Sequence, residues 1–150
     1  QSLFARNILD EKNGPPPEVN LFNEKNNGET LLNLIDSGFV KSAHDVSLGG
    51  IITAISKMCI KGNKGINLKM SKNLINEIEY FFAEDQGRYL IEIDQKDQKK
   101  VADILNKNAV HFDELGTINE DQLYINDKTK VTIDELKTSN TSWLTNYMSK

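Results

Sequence analysis

At 150 residues, 17.0 kDa and 38% hydrophobic content, the chain is one domain's worth of polypeptide with enough apolar residues for a core, which excludes wholesale disorder. Its 18 basic and 22 acidic residues are mixed along the sequence to a net charge of −4, which argues against nucleic-acid and membrane-surface partners alike. One cysteine excludes an internal disulfide framework and a cysteine zinc cluster, and the apolar runs are too short to span a bilayer, so a cytoplasmic, reducing-compartment domain is expected.

In chain order, residues 1–19 read as a proline-rich lead-in: Leu3, Phe4, Ile8 and Leu9, then the stiff connector Gly14-Pro15-Pro16-Pro17. Starting at Gln1 inside an ordered segment, the chain reads as a piece of a longer polypeptide with domains before it. Leu21 and Phe22, then Leu31, Leu32, Leu34 and Ile35, predict a helix ending at Ser37-Gly38, with a break at Gly28 and Thr30 capping the second half. Residues 39–47 predict a strand closing on Ser47-Leu48-Gly49-Gly50. Ile51, Ile52, Ala54, Ile55, Met58 and Cys59 then make an apolar helical stripe, which places Cys59 in the core. Strand 66–70, helix 73–80, strand 89–93 and helix 95–107 follow. Short strands are predicted at 109–118, 122–125 and 130–133, with a turn at Asn126-Asp127. The last ten residues read as a terminal helix or arm anchored by Trp143. Together these predict a single α+β domain over residues 1–150, a mixed sheet packed with helices.

Two polar segments carry candidate chemistry. In Ser42-Ala43-His44-Asp45-Val46-Ser47-Leu48-Gly49-Gly50 a strand end feeds a glycine turn that opens a helix, an arrangement suited to an anion. Glycines admit a phosphate close to the backbone. Asp45 could hold magnesium or a ligand hydroxyl, and His44 could bond a phosphate or fix Asp45. The alternative is tight packing, with Ser47 or Asp45 merely capping the helix. A hydrolase triad of His44, Asp45 and Ser47 is disfavoured, because residues 44 and 45 of a strand point to opposite faces. The second segment is Ala83-Glu84-Asp85-Gln86-Gly87-Arg88-Tyr89. Of the 18 basic residues only Arg6 and Arg88 are arginine, which singles Arg88 out for a carboxylate or phosphate. Against that stands a structural ion pair between Arg88 and Glu84. His111, in an alternating pattern beside Phe112, reads as half-buried and structural.

Taken together these motifs resemble the C-terminal domain of phosphoribosylformylglycinamidine synthases, within the AIR synthase-related superfamily. The resemblance runs from Gln1-Ser2-Leu3 and Gly14-Pro15-Pro16-Pro17-Glu18-Val19 through Asn27-Gly28, Ser42–Ser47 with Gly49-Gly50, and Glu84–Tyr89. It continues to Leu115-Gly116 with Ile118, and to Trp143-Leu144 and Tyr147-Met148. Leu48 departs from it, since the family commonly has an acidic residue there. The resemblance implies an ATP- and magnesium-dependent ligase of purine biosynthesis. Such an enzyme converts formylglycinamide ribonucleotide to formylglycinamidine ribonucleotide with ammonia from a partner glutaminase subunit. In it ATP activates the amide oxygen as an iminophosphate, and ammonia displaces phosphate. A small bridging subunit would complete the complex, and ATP and magnesium would be gripped mainly by the preceding domains. This domain, inactive alone, would offer His44, Asp45, Ser47, Gly49, Gly50, Gln86 and Arg88 to substrate phosphate, with Asp45 also facing metal. The other readings are a non-catalytic auxiliary nucleotide-binding module, aminoimidazole ribonucleotide synthase, or a kinase relative such as thiamine-monophosphate kinase.

Overall fold

The computed structural model describes residues 2–69, 76–126 and 128–149. They divide into two compact units: 1–54 with 76–113, and 55–75 with 114–150.

The first unit opens with helix α1 (Leu3–Asn7), capped by the Ser2 hydroxyl, and residues 8–20 then hold neither helix nor strand. Helix α2 (Leu21–Asp36) starts where the Asn20 side chain accepts from the Asn23 N–H at 3.0 Å. It runs unbroken through Gly28, and Thr30 is a buried interior residue rather than a cap, 2% exposed. Thr30 and Leu34, one turn apart in this continuous helix, are both buried on one side. Gly38, at φ +75°, ends the helix, and the Phe39 N–H donates back to the Leu34 carbonyl. Strand β1 (Val40–Asp45) follows, then the turn to helix α3 (Gly50–Gly62), whose first residues, to Ala54, belong to this unit.

Helix α4 (Glu77–Phe82) is capped by the Asn76 side chain, and the predicted start of that helix, residues 73–75, lies outside the described residues. Strand β3 (Tyr89–Ile93) pairs antiparallel with β1, and a 3-10 turn (Gln95–Asp97) leads into helix α5 (Gln98–Lys107). The core joins Leu34 of α2 to Val101 and Leu105 of α5, with Val40, Ile91, Ile93 and Ile104 packed against them. Ile104 is thus inward-facing, on the same side of α5 as Val101 and Leu105.

The second unit holds a mixed four-stranded sheet in the order β4-β2-β5-β6. Its strands are β2 (Gly65–Leu68), β4 (Gly116–Asn119), β5 (Gln122–Ile125) and β6 (Thr129–Thr132). The two central strands run parallel, while each edge strand is antiparallel to its neighbour. Leu68 and Leu123 are buried almost completely. Met70 and Asp127 lie outside the described residues.

Three expectations are corrected here. The strand expected from Ala109 begins only at Gly116, because Ala109 takes φ +53° at the end of α5 and 110–115 form no ladder. His111 is accordingly not half-buried in a strand: its side chain is 92% exposed. The third concerns the C-terminal helix, α6, which spans Ile133–Met148 and starts well before the last ten residues. A capping box sets that start: the Glu135 N–H donates to the Thr132 hydroxyl, and Glu135 Oε2 accepts from the Thr132 N–H at 2.8 Å. Trp143 is no buried anchor: it stacks on Tyr147 of its own helix and stays 67% exposed.

Candidate functional site

Both polar segments lie at one end of the β1–β3 pair. His44 sits opposite Leu90 and Asp45 opposite Tyr89, and the Val46 N–H donates to the Arg88 carbonyl at 2.9 Å. Residues far apart in sequence therefore meet because two strands exit together.

Exposure alternates along β1, with His44 half-buried and Asp45 outward. The imidazole nevertheless turns back on its neighbour. Nδ1 lies 2.6 Å from the Asp45 carbonyl oxygen and 3.3 Å from Asp45 Oδ1. A carbonyl only accepts, so Nδ1 carries the proton, and in the neutral ring the acceptor lone pair sits on Nε2. His44 and Asp45 thus interact despite opposite strand faces, because Asp45 ends the strand and the ring reaches its backbone. Ser47 makes no hydrogen bond to His44 among the described residues, so no triad forms. Asp45 is well exposed, as are Ser47 and Leu48.

The turn is tighter than a ligand cradle requires. Gly49 and Gly50 take φ +85° and +70°, and the Gly50 N–H donates to the Ser47 carbonyl. A β-carbon on Gly49 would collide with the Thr53 side chain, and one on Gly50 would come within 2.5 Å of the Phe81 carbonyl oxygen. The missing β-carbons therefore serve packing and backbone conformation. The Gly49 N–H is also engaged, donating to Glu84 Oε1 at 2.8 Å. The same oxygen accepts from the Leu3 N–H at 2.7 Å. Glu84 is thus no partner of Arg88.

Arg88 closes its own loop. Its guanidinium pairs with Asp85 at 3.1 Å and donates to the carbonyls of Ala83 and Tyr80 at 3.4 Å. Gln86 is exposed on that loop, and the Asn27 side-chain amide of α2 donates to the Gly87 carbonyl at 3.0 Å. Gly28 lies 3.8 Å from the Tyr89 hydroxyl by its absent β-carbon, so the Asn27-Gly28 pair steadies the second segment. Sequence reasoning quoted Asn27 within a motif without giving it a role, and weighed Glu84 only as an ion-pair partner of Arg88.

No group of three or more metal-ligating side chains occurs among the described residues. Cys59 is 6% exposed, and burial pushes its thiol up to about 11, which fits core rather than nucleophile. No helix among the described residues is long and apolar enough to cross a membrane.

The family profile described as AIR synthase related protein, C-terminal domain, matches residues 1–128, and the chain belongs to that family. Within it, the chain is similar to phosphoribosylformylglycinamidine synthase subunit PurL of Pelagibacter ubique, at 70% identity over 99% of this chain and 20% of that protein. The corresponding protein of Bartonella bacilliformis is 38% identical over the same shares. The chain thus spans about one fifth of the length of these curated relatives. Among solved structures, Thermotoga maritima PurL complexed with FGAR superposes with a TM-score of 0.72 at 23% identity, covering 89% of this chain and 24% of that one. The structure of PurLQS from the same organism gives 0.68 at 21% identity, covering 88% and 24%. T. maritima PurL complexed with ATP gives 0.64 at 23% identity, covering 75% and 21%. At these identities the structures support the fold, which agrees with the α+β expectation.

Proposed function

We propose that residues 1–150 are the C-terminal domain of a phosphoribosylformylglycinamidine synthase, with residues 1–19 as its lead-in segment. The complete polypeptide would join ammonia, released from glutamine by a partner subunit, to formylglycinamide ribonucleotide at the expense of ATP. A small bridging subunit would complete a cytoplasmic complex. The reading is carried by the meeting of both motifs at the end of β1 and β3, in a chain 70% identical to a PurL subunit. Relatives solved with FGAR, with ATP and as PurLQS support the substrate, nucleotide and partner classes.

In this reading the turn receives the ribonucleotide phosphate. The Ser47 hydroxyl and the Gln86 amide would donate to it, joined by His44 Nε2 when the imidazole carries its second proton, while Gly49, Gly50 and Arg88 hold the backbone that shapes the site. Magnesium usually takes one or two carboxylates and completes its shell with substrate phosphates and water. Asp45, exposed and the sole carboxylate of the turn, fits such a single-ligand role; a bound magnesium would supply charge neutralisation there. Most contacts to ATP belong to the rest of the polypeptide.

The test is ADP release by the complete polypeptide given formylglycinamide ribonucleotide, ATP, magnesium and saturating ammonium. Asp45→Ala is expected to lower turnover on the order of 100-fold while leaving the circular dichroism spectrum intact. Undiminished turnover would move this domain to an auxiliary, non-catalytic nucleotide site.

A further inference from the structure

The turn is held by a carboxylate that comes from the other motif. We propose that Glu84 is a positioning residue for the phosphate-binding turn, an inference that rests on the function proposed above. One oxygen, Oε1, accepts from the Gly49 N–H and the Leu3 N–H, tying the Ser47–Gly50 turn to the first residue of α1. Both bonds are charge-assisted, the stronger kind. The Phe4 ring stacks on Phe82 at 4.5 Å between centroids, so α1 is seated beside the same loop from which Glu84 projects.

The arrangement has an electrostatic cost that makes it testable. A negative carboxylate 2.8 Å from the Gly49 nitrogen repels the phosphate that the turn is proposed to receive. It also withholds that N–H from the ligand. Glu84 therefore orients the turn rather than binding substrate, and what the site needs from it is a hydrogen-bond acceptor, not a charge. Glutamine at this position keeps an acceptor oxygen and loses the charge; alanine loses both.

In the complete polypeptide, assayed with ammonium as nitrogen source, Glu84→Ala is expected to raise the KM for formylglycinamide ribonucleotide about tenfold, roughly what one well-placed charge-assisted hydrogen bond is worth. The KM for ATP should stay within about twofold. Glu84→Gln should return the ribonucleotide KM to the natural value or below it, because repulsion is relieved while the bond persists. A purely structural Glu84 would instead lower the melting temperature of both variants and leave the ribonucleotide KM unmoved. That result would overturn the proposal, as would an equal rise in KM for alanine and glutamine. Ser47→Ala measured alongside separates the two levels. A Ser47 effect without a Glu84 effect sinks the positioning role alone. No effect from either sinks the turn as the phosphate site, and the positioning role with it.

Discussion

Two pairs of glycines, Gly49 with Gly50 in the turn and Gly65 with Gly116 in the four-stranded sheet, all lack room for a β-carbon, but for different reasons. At Gly65 and Gly116 the obstacle is the neighbouring strand. Gly116 sits opposite Leu68, and its β-carbon would collide with the Asn67 carbonyl; Gly65 faces Asn119 and the Gln122 backbone. At Gly49 and Gly50 the conformation itself, φ +85° and +70°, excludes other residues as well; Gly116 shares that constraint at φ +152°, but in the turn a side-chain carboxylate rather than a ladder fixes the Gly49 N–H. A crowded glycine in a sheet reports how closely strands approach. A crowded glycine in a turn reports a backbone bent to present something.

Substitution can break this comparison. Gly116→Ala should cost the most, about 3 kcal/mol or more, because its β-carbon would overlap the Asn67 backbone most deeply at φ +152°, and the strand must move. Gly50→Ala should cost nearly as much, combining φ +70° with a 2.5 Å approach to Phe81. Urea melts of both variants check the order, and a Gly50 variant as stable as the natural chain would return that residue to a purely ligand-facing role. Gly62 sharpens the contrast from the other side: it ends α3 with nothing within 4 Å of a built β-carbon. Gly62→Ala should be neutral or stabilise by up to about 1 kcal/mol, read from the same melts.

The smallest expected effect lies at the start of α6. Hydrogen bonds from the Thr132 backbone and hydroxyl hold the Glu135 carboxyl below the usual glutamate range. A depressed folded-state value means that the contribution is complete above the unfolded-state value and is lost as pH falls through the folded one. Thr132→Ala should therefore lower stability near neutral pH, with the gap to the natural chain narrowing as acidification protonates Glu135, since the Thr132 backbone bond remains in both. A gap independent of pH would assign the loss to the hydroxyl alone.

Elements whose signal is local and periodic were legible in the sequence. Strand 89–93 and strand 122–125 match to the residue, and the stripe from Ile51 to Cys59 became α3. Where the sequence reading failed, a single residue's geometry overrode the pattern. Ala109 adopted a left-handed conformation that alternation does not reveal, and Thr132-Ile133-Asp134-Glu135 is a capping box that turned an apparent strand end into a helix start. At the site, the residue types of both motifs were readable, but their meeting was not, because it depends on β1–β3 register. The role of Glu84 was hidden for the same reason: its partners are Leu3 and Gly49, neither a sequence neighbour.

Helix α1 is five residues long, and its described attachments are the Glu84 carboxylate and one ring pair. So short a helix would not stay docked on such contacts as a separate peptide. Residues 8–20, stiffened by three prolines, make its docking an intramolecular event at an effective concentration in the millimolar range. The connector thus contributes binding free energy through its length and stiffness alone, and a single backbone cut within it would release α1 with the Glu84 and Phe82 contact atoms still in place.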